Sequence, residues 1–120
     1  MDWRTVEHFD RKEFGFAGDV EPDERLVRRL DDARAVAGIP FFINSGIRSE
    51  EDNERVGGAD DSAHLTGHAV DIRVSTSRQR QLILSALIAV GFRRIGIGQS
   101  FIHVDTDRTK PQDVCWLYGS

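Results

Sequence analysis

Two short stretches hold most of the side chains able to do chemistry. The first is Ser62-Ala63-His64-Leu65-Thr66-Gly67-His68-Ala69-Val70-Asp71 and the second is Phe101-Ile102-His103-Val104-Asp105. A zinc ion takes about four ligands in a tetrahedron, accepts imidazole nitrogen and carboxylate oxygen alike, and in a catalytic site keeps one position for water. His64, Asp71 and His103 would supply three such ligands. Pairing His64 with His68 at i, i+4 on a helix, in the manner of H-E-x-x-H peptidases, is rejected. Leu65 stands where that motif needs its glutamate, and Gly67 disfavours helix between the two histidines. Spacing alone leaves a plainer reading open, in which these are loop and strand residues with satisfied hydrogen bonds.

The elements that must position these groups follow from periodicity. Ala69 to Val74 alternates, with Val70, Ile72 and Val74 on one face and Ala69, Asp71 and Arg73 on the other. Phe101 to Asp105 alternates too, so that Phe101, His103 and Asp105 share a face opposite Ile102 and Val104. Upstream, Leu26, Leu30, Ala33 and Ala37 recur at helical spacing, with Pro22 in the first turn and Gly38 and Pro40 at the stop. Arg25, Arg28, Arg29, Asp31 and Asp32 fall on the other faces of that helix. A second helix is expected from a cap at Ser75-Thr76-Ser77 to about Val90, with Leu82, Ile83, Ala86, Leu87 and Val90 as its apolar stripe and Gly91 as its end.

Phe41 to Ser45 reads as a buried strand, Glu50 to Val56 as one or two helical turns, and Gly57 to Ser62 as loop. Residues 1–20 read as an irregular lead-in whose Phe9, Phe14 and Phe16 dock on the body. This pattern predicts one α+β domain over residues 1–120, with a small, mostly antiparallel sheet packed with helices.

Composition narrows the function. Sixteen Lys and Arg against 20 Asp and Glu leave a formal charge of −4, which argues against a protein that works by neutralising phosphates, so no nucleic-acid partner is expected. The longest oily stretch, Leu82 to Phe92, is broken by Ser85 and Gly91 and is too short to span a membrane. One cysteine, Cys115, permits neither an intrachain disulfide nor a four-cysteine zinc site, and it reads as a small buried side chain. The first eight residues lack the apolar core of a secretory signal, so synthesis in the cytoplasm is expected.

The blocks taken together resemble a known family. Ser62-x-His64-x-x-Gly67-x-Ala69-x-Asp71, preceded by Ser45-Gly46-Ile47-Arg48-Ser49 and Asn53-x-x-Val56-Gly57-Gly58-Ala59 and followed by Phe101-Ile102-His103-Val104-Asp105, is similar to the zinc D-Ala-D-Ala carboxypeptidases. That family includes bacterial and phage peptidases of cell-wall peptides, and it shares its fold with the signalling domain of Hedgehog proteins. The resemblance runs from about His8 to Trp116. It implies a Hedgehog/DD-peptidase-like fold, Zn2+ as cofactor, and His64, Asp71 and His103 as the metal ligands. It also implies that Arg48 lies beside the metal, where a guanidinium would hold a substrate carboxylate or the oxyanion at the scissile carbonyl. Without the resemblance, Arg48 reads as a surface ion pair with Glu50 or Glu51.

A metallopeptidase also needs a group to move the proton of the attacking water. Many relatives place Glu three residues, or His five residues, before the last zinc histidine, whereas this chain has Ser100 and Gly98 there. Asp105 is the first candidate for catalytic base, with orientation of a zinc histidine or an arginine as its equal alternative, and His68 is the second. Relatives often carry clustered cysteines after the Glu-Phe pair. Here Glu13-Phe14 leads into Gly15 to Val20, so no second metal is expected. The expected activity is zinc-dependent hydrolysis of an amide in peptidoglycan stem or cross-link peptides by a monomer. The alternative is a metal-bearing module that binds wall peptide or a protein without cutting.

Overall fold

The computed structural model describes residues 1–119. Its elements are helices α1 (Glu24–Ala37), α2 (Glu50–Arg55) and α3 (Ser77–Ala89), and strands β1 (Ile43–Ser45), β2 (Ala69–Arg73), β3 (Arg94–Ile97), β4 (Phe101–Asp105) and β5 (Val114–Leu117). Short 3-10 turns cover Trp3–Thr5, Arg11–Phe14 and Ala63–Thr66. The five strands form one sheet in the order β1-β2-β4-β3-β5, antiparallel throughout except for the parallel pair β3 and β5. This is the mixed α and β, mostly antiparallel arrangement expected from the Hedgehog/DD-peptidase-like resemblance.

Alternation splits the sheet into an oily face and a polar face. Val70 and Ile72 of β2, Ile102 and Val104 of β4 and Ile95 of β3 are buried on the first. They pack on Leu26, Val27, Leu30 and Ala33 of α1 and on Ile83, Ala86 and Leu87 of α3. The helices form there because their apolar residues fall on one stripe and their ends are capped. Asp23 accepts the Leu26 N–H, and Gly38 closes α1 in the left-handed region. Thr76 and Gln79 cap α3 reciprocally. Pro22 sits one residue before the cap rather than in the first turn.

On the opposite face the strand register draws one row of residues across the whole sheet: Ser45, Asp71, His103, Gly96 and Trp116. A parallel row holds Asp105 beside Arg94, paired across β4 and β3. The polar residues that alternation sends away from the core therefore become neighbours.

Three further expectations are corrected, and two strands are added. The Phe41–Ser45 strand shrinks to three residues at a sheet edge, and only Phe41 of its two phenylalanines is buried. Phe42 is half exposed under the Arg73 guanidinium. In the lead-in, Phe9 and Phe14 are buried against each other, but Phe16 stands in solvent beneath Arg11. Cys115 is exposed, because β5 is the other sheet edge and the helix layer leaves it uncovered. Strands β3 and β5 complete the sheet without having been anticipated, their few residues being too short and too interrupted by Gly96 to show a period. No helix among the described residues is long and apolar enough to cross a membrane.

Candidate metal centre

His64 is delivered by the 3-10 turn Ala63–Thr66, which Ser62 caps and Gly67 closes at φ 79°. A side chain at Gly67 would fall on the Glu21 carbonyl, so glycine is required both by the backbone angle and by the close approach. Asp71 and His103 face each other as a register pair of β2 and β4. One ligand-type atom from each of His64, Asp71 and His103 lies within 4.8 Å of the other two. Asp71 Oδ1 is 3.3 Å from His64 Nε2 and 3.0 Å from His103 Nδ1.

The outer hydrogen bonds decide which ring nitrogens face inward. His64 Nδ1 lies 2.7 Å from the Gly46 carbonyl, which can only accept, so that nitrogen carries the proton and Nε2 presents its lone pair. Gly46 is held in turn by the lead-in: Ile47 N donates to the Phe14 carbonyl at 2.7 Å, and any side chain at Gly46 would strike that carbonyl. His103 Nε2 lies 2.7 Å from Asp105 Oδ2, turning Nδ1 toward Asp71. Asp105 is itself fixed, since its other oxygen accepts from Arg94 Nε at 2.8 Å and from the Asp107 backbone N–H at 3.1 Å.

This donor set suits a zinc ion. Two imidazole nitrogens and one carboxylate oxygen are its usual ligands, and bonds of about 2.0–2.1 Å in a tetrahedron separate ligand atoms by roughly 3.3 Å, close to the spacings around Asp71 Oδ1. The carboxylate behind His103 and the carbonyl behind His64 are the outer partners that orient metal-binding imidazoles. Charge is arranged accordingly. Burial pushes the Asp71 carboxyl up, but hydrogen bonds from His103 and His64 outweigh it and hold the group well below the usual carboxylate range. Burial opposes charge on His103, yet its bonds to Asp105 and Asp71 raise its pKa above the ordinary imidazole value. For Asp105 burial again pushes upward, and His103, the Asp107 N–H and Arg94 together hold the carboxyl below its ordinary value.

Arg48 pairs not with Glu50 or Glu51 but with the centre itself. Its Nη2 is 3.3 Å from Asp71 Oδ2, while Nε donates to Ser45 Oγ at 2.9 Å and Nη1 to Asn53 Oδ1 at 3.3 Å. Asn53 is buried and also donates to the Ala59 carbonyl, tying the arginine to the loop that rims the cleft. The cleft, of about 510 Å³, is lined by these groups and by Asp61, Phe101, Lys110, Trp116 and Tyr118.

Asp105 stands behind the ring of His103, with both oxygens engaged and its side chain 2% exposed. His68 faces a different groove, near Thr66 and Asp23. The aromatic wall escaped the sequence reading. Trp116 of β5 and Tyr118 just after it lie against Gly96, whose missing side chain makes the room, and the Trp116 ring centre is 5.6 Å from that of His103. The available signal was the short apolar run Val114-Cys115-Trp116-Leu117-Tyr118.

Comparison with curated proteins found no match. The family model described as Peptidase M15 matches residues 7–105, a span that opens just before the buried Phe9 and closes on Asp105, so it takes in His64, Asp71, His103 and Arg48. The order of motifs, the sheet that juxtaposes them and this match agree, and the chain belongs to the M15 peptidase family of the zinc D-Ala-D-Ala carboxypeptidase type.

Proposed function

We propose that this protein is a zinc-dependent peptidase that hydrolyses an amide bond in peptidoglycan stem or cross-link peptides. The observation that carries the reading is the convergence of His64 Nε2, Asp71 Oδ1 and His103 Nδ1 from three separate elements, beside an arginine aimed at the same point. His64, Asp71 and His103 would hold the ion. When bound, zinc supplies Lewis acidity, which acidifies water and polarises a carbonyl.

The chain's own residues do the rest. Arg48 is braced by Ser45 and Asn53, so its guanidinium meets the substrate carboxylate or the developing oxyanion without reorganising. Asp105 serves as a positioning group that fixes the tautomer and orientation of His103. Of the titratable side chains lining the cleft, Asp61 and Tyr118 have no ion-pair partner among the described residues. The Tyr118 hydroxyl, its pKa pushed up by burial and by the charges of Asp71 and Asp105, stays protonated. Phe101, Trp116 and Tyr118 keep water from one side of the cleft.

Digestion of purified sacculi, with and without a chelator, tests the reading by mass spectrometry of newly formed amine ends. Chelator-sensitive release of a defined amine is expected. Tight pelleting with sacculi and no release would overturn the hydrolytic reading in favour of a metal-bearing binding module.

A further inference from the structure

Away from the metal cleft, arginines gather around the end of the sheet. Arg25 and Arg29, one turn apart on α1, converge with Arg93 before β3 and with Arg108 and Gln112 of the loop after β4 on a recess of about 290 Å³. Four guanidiniums around one small space are unexpected in a chain of formal charge −4. Like charges brought together repel, and what solvent and salt do not screen is relieved by carboxylates of the protein or by a bound anion.

Most carboxylates at hand are already committed, and Asp60 and Asp61, farther along the adjoining groove, form no ion pair with these arginines. Asp105 is held by Arg94 and His103, Asp107 by Lys110 and Thr109, Glu24 by Arg28, and Asp23 by Thr106 and the Leu26 N–H. Asp113 takes both ends of Arg93, which neutralises that one arginine. Arg29 spends a single donor on the Gly91 carbonyl and pairs with no acid. Arg25 and Arg108 have neither a carboxylate nor a hydrogen-bond partner among the described residues. Three unneutralised guanidiniums therefore present forked N–H donors to one recess, the geometry that planar or tetrahedral oxyanions accept in pairs.

A groove of about 980 Å³ that shares Arg25, Arg29 and Arg108 with the recess runs on to Asp61 and Ser62, which also border the cleft. We propose that Arg25, Arg29 and Arg108 form an oxyanion-binding subsite that anchors a carboxylate or phosphate group of the substrate, remote from the bond at the metal. That the anion is carried by a wall peptide or its attached polymer rests on the proposed function; the subsite itself does not.

The test uses the zinc-loaded full-length chain and follows the arginine Nε–Hε resonances by NMR. Inorganic phosphate is titrated in one arm and glutarate, a dicarboxylate, in the other. Saturable shifts at Arg25, Arg29 and Arg108 are expected, weakening as salt is raised. The tighter of the two ligands identifies the source of the anion. In the double variant Arg25→Gln/Arg108→Gln, affinity should fall at least about tenfold, with zinc content and thermal midpoint retained because both side chains are exposed and unpaired. Unmoved arginine resonances in both arms, or equal affinity in the double variant, would overturn the proposal. Neither readout involves hydrolysis, so its failure is distinguishable from failure of the sacculus digest.

Discussion

At the scale of single residues, the centre depends on which lone pairs face inward and on what holds them there. His64→Ala, Asp71→Ala and His103→Ala should each reduce bound zinc from one ion per chain to none, while His68→Ala leaves it unchanged; elemental analysis after gel filtration decides this. Asp105→Asn removes the charge that steadies His103 and should weaken zinc affinity by roughly 10–100-fold in a competition with a chromogenic chelator. Protons compete for the same nitrogen. Because the His103 pKa is raised, its proton is held through pH 6.5 and is lost only as pH climbs through the raised value. Zinc affinity should therefore still be increasing above pH 6.5, with a proton released on binding, measurable by calorimetry in buffers of different ionisation enthalpy. An affinity already flat at pH 6.5 would contradict this ordering.

At the scale of elements, a five-residue segment and a five-residue strand do what no single side chain could. Ser62 to Thr66 turns once and Gly67 stops it, so His64 points at β2 while His68 emerges on the other side. Gly67→Ala must accommodate both a left-handed backbone, worth about 1–2 kcal/mol, and collision with the Glu21 carbonyl. Urea denaturation should show a loss larger than the backbone cost alone, accompanied by weaker zinc binding. If stability fell while zinc affinity stayed intact, the turn would not be what positions His64.

At the scale of the molecule, the sheet separates stability from chemistry. Leu30 is fully buried on the helix side, and His64, Asp71 and His103 cluster on the other. Leu30→Ala should cost about 2–5 kcal/mol, as expected for a leucine truncated in a packed core. Zinc at 100 times its dissociation constant should add about 2.7 kcal/mol to wild type and variant alike, because the two sites share no partners. Chemical denaturation with and without zinc reads both quantities. A markedly smaller zinc increment in the variant would show that the two faces are coupled.

What was legible in the sequence was whatever a local period can encode. The alternation of residues 69–74 and 101–105 placed Asp71 and His103 on polar faces, and the stripe of α1 marked Leu26, Leu30 and Ala33 as core. Gly67 between two histidines announced a turn in place of a continuous helix. Tertiary structure decided the rest, because strand order, edge position and long-range hydrogen bonds have no local signature. The pairing of β2 with β4 put Asp71 opposite His103, and the addition of β5 at the far edge exposed Cys115 and brought Trp116 and Tyr118 to the cleft. Whether Asp105 faces open cleft or the back of an imidazole is a matter of ångströms set by Arg94 across the sheet, and no spacing along the chain carries that information.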